Sequence, residues 1–326
     1  MIAITGASGL VGGNLARALL AQRRPVRALA HHDRRALDGL DLETVSADLN
    51  DPASLERAFA GARVVYHLAG SISIRVENWD ELQRVNVAGT QNVVEACLRC
   101  SVEKLVYFSS IHAYRQDPFD LPLEEDRPLL TAERIPPYER SKAAAERIAR
   151  QAPERGLPTV IIIPTAILGP YDFRPSYFGQ ALGLLARGRI PALVHGGYDW
   201  VDVRDVVHGA IQAERLGRSG SRYILSGHWR SLREVARAAA EITGKSAPRL
   251  VVPIWLGELF QPVMARLAQI NGSQPLYTKA MLNALRSNRQ VNHVRATRDL
   301  GYAPRPFEET LKEALDWFAG QGGDHP

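Results

Sequence analysis

Two cysteines in 326 residues are too few for a disulfide framework, so the core and not covalent staples must hold this fold. No stretch reaches the ~20 uninterrupted apolar residues of a spanning helix, so no transmembrane segment is expected. The opening Met1-Ile2-Ala3-Ile4-Thr5 reads as a strand and not as a signal peptide, which makes a reducing cytoplasm the expected location. Internal repeats and low-complexity tracts are lacking, and so is a long basic run. The 40 Lys and Arg are spread among 35 Asp and Glu, for a net charge of +5. That mild excess suits a small anionic ligand and gives no reason to expect nucleic acid. Cys97-Leu98-Arg99-Cys100 matches C-x-x-C, but it closes a helix that reads as packing, so neither a metal nor a redox pair is expected there.

What is present is a large apolar fraction, 45% of the chain, arranged with a rhythm. Short apolar runs at Ile2–Thr5, Val26–Ala30, Glu43–Ala47, Val64–Leu68, Lys104–Ser109 and Thr159–Pro164 alternate with amphipathic stretches at Leu10–Ala21, Pro52–Ala60, Val85–Cys100 and Tyr138–Ala152. Buried strands separated by helices predict an α/β fold with a doubly wound parallel sheet, a Rossmann arrangement. The rhythm changes near Pro170, where Pro/Gly-rich connections join helices at Phe178–Arg187, Leu232–Thr243 and Phe307–Ala319. The expected organisation is a dinucleotide-binding unit over 1–169, rejoined by 201–216, and a smaller α/β substrate lobe over 170–326.

The first strand leads into Thr5-Gly6-Ala7-Ser8-Gly9-Leu10-Val11-Gly12. Glycines at a strand-to-helix turn let backbone N–H groups approach a pyrophosphate that the helix N-terminus favours. Gly6, Ser8, Gly9, Leu10, Val11 and Gly12 are therefore the expected phosphate cradle. After the third strand, Asp48-Leu49 supplies a carboxylate for an adenine amino group, the preferred reading, with a cap on the helix near Pro52 as the alternative for Asp48. Leu68, Ala69 and Gly70 end the fourth strand with small residues along which a cofactor can lie. The second strand ends Ala30-His31-His32-Asp33-Arg34-Arg35. An acidic residue there serves NAD and an arginine accommodates the extra phosphate of NADP. With His31 at the strand end and Arg34 and Arg35 nearby, the reading favours NADP, and Asp33 keeps NAD open.

Tyr138 and Lys142 share one helix face at i,i+4 spacing. An ammonium and a cationic nicotinamide ring favour phenolate, so the tyrosine can exchange a proton with a substrate oxygen. Twenty-eight residues upstream of Tyr138, the fifth strand ends in Ser109-Ser110, where a hydroxyl faces the ligand crevice; Ser110 is the expected donor to the substrate oxygen, with Ser109 the alternative if the register slips by one.

Taken in order, T-G-x-x-G-x-x-G, D-L, H-L-A-G, N-V-x-G-T-x-N, S-S and Y-x-x-x-K resemble the extended short-chain dehydrogenase/reductase superfamily, the NAD-dependent epimerase/dehydratase family. The branch most similar is that of dihydroflavonol-reductase-like and hopanoid-associated sugar epimerase-like proteins. The resemblance implies Ser110, Tyr138 and Lys142 as the catalytic trio, Asn86 as a structural or proton-relay partner, and Pro164, Thr165 and Ile167 against the nicotinamide end. It also implies a homodimer paired through Val85–Cys100 and Tyr138–Ala152. The expected activity is oxidoreduction of a small-molecule carbonyl or secondary alcohol. A nucleotide-sugar epimerase or dehydratase uses the same trio, and a dinucleotide-binding regulator without turnover is the rival from another class.

Substrate-facing candidates are Ser71, His112, Tyr171, Arg174 and Tyr177, with Phe173 and His195 beside them. Trp200–Asp205 is expected to brace the two halves, with Asp202 and Asp205 structural. Ile254-Trp255-Leu256-Gly257-Glu258-Leu259-Phe260 reads mainly as a buried helix, with a lid over a lipid-like substrate or contact with a membrane surface as the alternatives.

Overall fold

The structure, a computed structural model, describes residues 1–30, 33–71, 79–131, 135–270 and 277–320. In the first half, strands β1 (Ile2–Thr5), β2 (Val26–Leu29), β3 (Glu43–Val45), β4 (Val64–His67), β5 (Lys104–Phe108) and β6 (Thr159–Pro164) alternate with helices α1 (Leu10–Ala21), α2 (Pro52–Phe59), α3 (Trp79–Leu82), α4 (Gly89–Arg99) and α5 (Pro137–Gln151). The second half holds β7 (Ala166–Leu168), α6 (Tyr177–Ala186), β8 (Ala192–Val194), β9 (Gly197–Asp202), α7 (Val203–Leu216), β10 (Arg222–Leu225), β11 (His228–Ser231) and α8 (Leu232–Thr243). Then follow β12 (Leu250–Val252), α9 (Ile254–Ile270), α10 (Lys279–Ala284), α11 (Val294–Leu300) and α12 (Phe307–Gly320).

Alternation along each central strand builds two cores at once, because successive side chains leave on opposite faces. Ile2 and Ile4 join Val106, Phe108, Val160 and Ile162 under α1 and α7. Ala3, Leu105, Tyr107, Ile161 and Ile163 meet the other layer, with Leu55, Phe59, Val93, Val94 and Cys97. Both faces being covered, the strands read as continuous apolar runs, and the sheet they form is parallel throughout, in the order β3-β2-β1-β4-β5-β6-β10. The order turns back between β1 and β4, which opens a crevice at their carboxyl ends.

The seventh strand, β10, comes from Arg222–Leu225, a segment that the sequence periodicity did not single out. The expected helix over 85–100 is two things: a π-helical stretch at Gln83–Ala88 that runs into α4. Past Thr165 the chain leaves the central sheet, and β7 pairs with β9, which also pairs with β11. α8 has sharp ends for visible reasons: Ser231 and Glu234 form a reciprocal capping box, and Gly244 closes it in the left-handed conformation.

The apolar segment at 254–260 departs from its expected burial. In α9, Trp255, Leu259 and Phe260 face solvent, because the helix rests on β8 and α10 through its narrow side, where a Cβ at Gly257 would touch Val194 and Leu282. Among the described residues, no helix is long and apolar enough to cross a membrane.

Candidate active site

β1 hands the chain to Gly6, which adopts a φ of +72° that a side chain would strain. A Cβ there would stand 2.7 Å from the Ala69 nitrogen, and one at Gly12 would overlap the Gly6 carbonyl oxygen. The fold itself therefore demands these two glycines. Gly9 differs: it caps α1 with an ordinary φ of −80°, and a Cβ there would meet only the Gly6 oxygen at 3.4 Å. No side chain caps this end of α1, and no acidic residue stands in its first turn. Open amides at a positive helix end suit an anion, and the donor set fits a diphosphate. Ser8, Leu10 and Val11 are half-buried around it. Across the crevice, the Leu68 nitrogen donates to the Thr5 carbonyl at 3.2 Å and the Ala69 nitrogen to the Thr5 hydroxyl at 3.2 Å.

Ser110, Tyr138 and Lys142 come from the end of β5 and the first turns of α5. The Ser110 hydroxyl stands beside the Tyr138 phenol and accepts from the His112 nitrogen. Burial holds the phenol above its ordinary value, the neighbouring Ser110 hydroxyl works against that, and Glu139 adds to it. Lys142 donates to the Phe108 carbonyl at 2.8 Å, and burial pushes its ammonium down to about 8, against the raising effect of Glu146. Ser109 faces the other way and donates to the buried Glu146 carboxylate, which also accepts from Tyr114 and Arg150.

Asn86, in the π-helical stretch, ties three segments together. Its Oδ1 accepts from the Ser71 nitrogen at 2.7 Å, and its Nδ2 donates to the Ser71 carbonyl at 3.0 Å and to the Ser141 hydroxyl at 2.9 Å. Ser141 passes the link on to the Tyr138 carbonyl at 2.7 Å. Ser71, after β4, and the first turn of α5 are thereby fixed to one side chain. His67 behind them bonds Thr5 and Thr90, and burial pushes its imidazole down to about 3, leaving it neutral.

At the far end of the crevice, Arg35 grips Asp33 through Nε and Nη2 at 3.0 and 2.7 Å. That bond, with Arg174 nearby, holds the Asp33 carboxyl below its ordinary value. His31 lies outside the described residues. The Asp48 carboxylate accepts from the Asn50 backbone at 2.8 Å; α2 is capped by Asp51 instead. Leu49 packs under Gly89.

On the substrate side a cleft is lined by His112, Gln116, Thr165, Asp199, Trp229 and Asn288. Thr165, between β6 and β7, donates to Asp199 at 2.7 Å, and the Gly227 nitrogen donates to the same oxygen. His112 is pushed down to about 4 by burial. Pro164 pairs with Leu225 and Ile167 with Val201. Tyr171 and Arg174 stand elsewhere, near the cofactor end: Arg17 of α1 lies 4.6 Å over the Tyr171 ring, and Trp317 packs on it at 5.0 Å. Tyr177 opens α6. Gln116, Asp199, Trp229 and Asn288 were not visible to sequence reasoning, since each comes from a separate stretch without a motif. Asp202 caps α7, and Arg305 bonds Asp205, bracing the C-terminal segment. Burial pushes the Cys97 thiol up, which makes it an inert core group.

The family model for the NAD dependent epimerase/dehydratase family matches residues 2–225. The chain is 34% identical to sterol demethylase protein B of Methylococcus capsulatus over 98% of both chains. It is 31% identical to a putative dihydroflavonol 4-reductase of Synechocystis sp., over 98% of this chain and 94% of that one. Among solved structures, gox2253 superposes with a TM-score of 0.85 at 31% identity, over 99% of this chain and 98% of the other.

Proposed function

The chain belongs to the NAD-dependent epimerase/dehydratase family, and from that premise we propose that it interconverts a carbonyl and a secondary alcohol by hydride transfer. The observation that carries the reading is the convergence of Ser110, from the end of β5, with Tyr138 and Lys142, one turn apart on α5, the serine hydroxyl acting on the phenol and the half-buried lysine held by the Phe108 carbonyl. A bound nicotinamide supplies or takes the hydride. Tyr138 exchanges the proton with the substrate oxygen, and Ser110 donates to that oxygen as charge develops on it. Lys142, held by the Phe108 carbonyl, presents a positive charge that favours the phenolate each time the proton leaves.

Gly6, Gly9 and Gly12 carry the diphosphate, and Asp48, Leu49, Leu68, Ala69 and Gly70 follow the rest of the dinucleotide. Asp33 is already engaged by Arg35, which leaves the exposed Arg34 and Arg174 for a 2′-phosphate and supports NADP. Two relatives bear names that point to polycyclic substrates, a sterol and a dihydroflavonol. Trp229 and Ile111 stand beside Asp199 in the substrate-side cleft, putting apolar surface next to a polar group, which accords with such names. Pairing of two copies through α4 and α5 completes the reading, and sedimentation velocity tests it.

The decisive measurement is Tyr138→Phe assayed on a panel of ring ketones at the nicotinamide absorbance. Dinucleotide binding should persist while turnover falls by at least about a hundredfold. Unchanged turnover would overturn the assignment, and so would sugar-nucleotide epimerisation without net cofactor consumption.

A further inference from the structure

α9 turns outward a surface that a helix of a globular domain ordinarily buries. Trp255, Leu259, Phe260, Val263 and Met264 are between 46% and 64% exposed, and their spacing puts them on one half of the helix circumference. An exposed apolar face of this size marks a contact surface. Its position within the molecule is informative. The first residue of α9, Ile254, lines a cavity of about 410 Å³ together with Phe119, His195, Arg286 and Arg289. Ser287 lines both this cavity and the inner cleft that holds His112 and Asp199. α9 therefore begins at the mouth of this cavity, which adjoins the inner cleft at Ser287.

Charge names the occupant. Between Glu241 and Arg295 the sequence has six cations, Lys245, Arg249, Arg266, Lys279, Arg286 and Arg289, and one acid, Glu258. The remainder of the chain carries 34 of each sign, so the whole net charge of +5 belongs to this stretch. Arg266, on the exposed helix itself, and Arg286 and Arg289 at the cavity are solvent-facing. A second copy of this chain would oppose like charge to like charge across such a face. An anionic phospholipid surface complements both features, taking up the apolar side chains at the headgroup boundary and the cations among the headgroups.

We propose that α9 docks the protein on an anionic bilayer, with the cavity mouth opening toward the lipid. The docking stands apart from the catalytic reading; only the inference that apolar substrate enters by this mouth rests on it. The test is co-sedimentation of the full chain with phosphatidylcholine vesicles, with and without phosphatidylglycerol. The expected result is binding to the anionic vesicles that weakens as salt is raised. The double variant Leu259→Glu/Phe260→Glu should lose at least about tenfold in affinity and Arg266→Glu a several-fold part of it. Both should keep their melting temperature, dinucleotide binding and turnover of a short water-soluble ketone, since all three positions are exposed. Tyr138→Phe should bind vesicles like the unmodified chain, which separates failure of docking from failure of catalysis. Absence of vesicle binding, equal binding to neutral and anionic vesicles, or binding undiminished in the double variant overturns the proposal. A concentration-dependent dimer that the double variant abolishes, in place of vesicle binding, overturns it in favour of a second copy.

Discussion

Glu146 lies one helical turn beyond Lys142 on α5, fully buried, and its charge works against the burial that lowers the lysine. Replacing it by Gln removes that support and leaves the Lys142 ammonium easier to deprotonate. Burial has already brought Lys142 to about 8 from 10.5, so activity that needs the ammonium is full below that value and is lost as pH rises through it. In Glu146→Gln the alkaline limb of the kcat profile should move to lower pH, and the fold should lose ~1–3 kcal/mol because Ser109, Tyr114 and Arg150 lose their charged acceptor. An unmoved alkaline limb would disprove the link.

Gly9 and Gly12 should separate binding from folding. Gly9→Ala meets only one atom at 3.4 Å, so chemical denaturation should change by no more than ~0.5 kcal/mol while the dinucleotide dissociation constant rises by at least about tenfold. Gly12→Ala overlaps the Gly6 carbonyl and should instead yield little folded protein. Equal affinity in Gly9→Ala and the unmodified chain would remove the diphosphate from this turn.

Asn86→Leu keeps the volume and deletes three polar contacts with Ser71 and Ser141. A buried amide lost from backbone partners should cost ~1–3 kcal/mol in a thermal melt, and kcat should fall more than KM rises, because the position of Tyr138 and not the substrate contact is disturbed. A variant with normal kcat would reduce Asn86 to packing.

Glu139 is pushed up to about 7 from 4.5 by burial. A carboxyl raised in the fold binds protons more tightly there than in the unfolded chain, so its contribution is full below 4.5 and declines as pH rises through about 7. Glu139→Gln should flatten that decline in urea titrations made at several pH values. It should also lower the Tyr138 phenol, since the Glu139 charge raises it. A wild-type slope retained in the variant would assign the decline to other groups.

The central strands and the glycine turn were legible because they carry local signals, an apolar run of strand length and three glycines within seven residues, even though what Gly6 has to clear is Ala69, far along the chain. Tyr138 and Lys142 were legible for the same reason. Asp199 was not, because only the departure of the chain from the sheet at Thr165 brings it opposite β6. The Y-x-x-x-K spacing reveals a nearby cation and says nothing of the burial that raises the Tyr138 phenol in the free chain. α9 was misread for a related reason. An apolar stretch declares what its side chains are made of, and the space available on β8 and α10 decides how many of them can be covered.

The π-helical stretch ahead of α4 makes length, and not only residue identity, a requirement. Such a turn stores one residue more than the α-helix it interrupts. Removing a residue between Trp79 and Leu82 would let Gln83–Ala88 relax into regular helix and rotate Asn86 by about 100° away from the loop and helix it joins. Every side chain of the site would still be present in such a deletion, yet the strut between them would point into solvent.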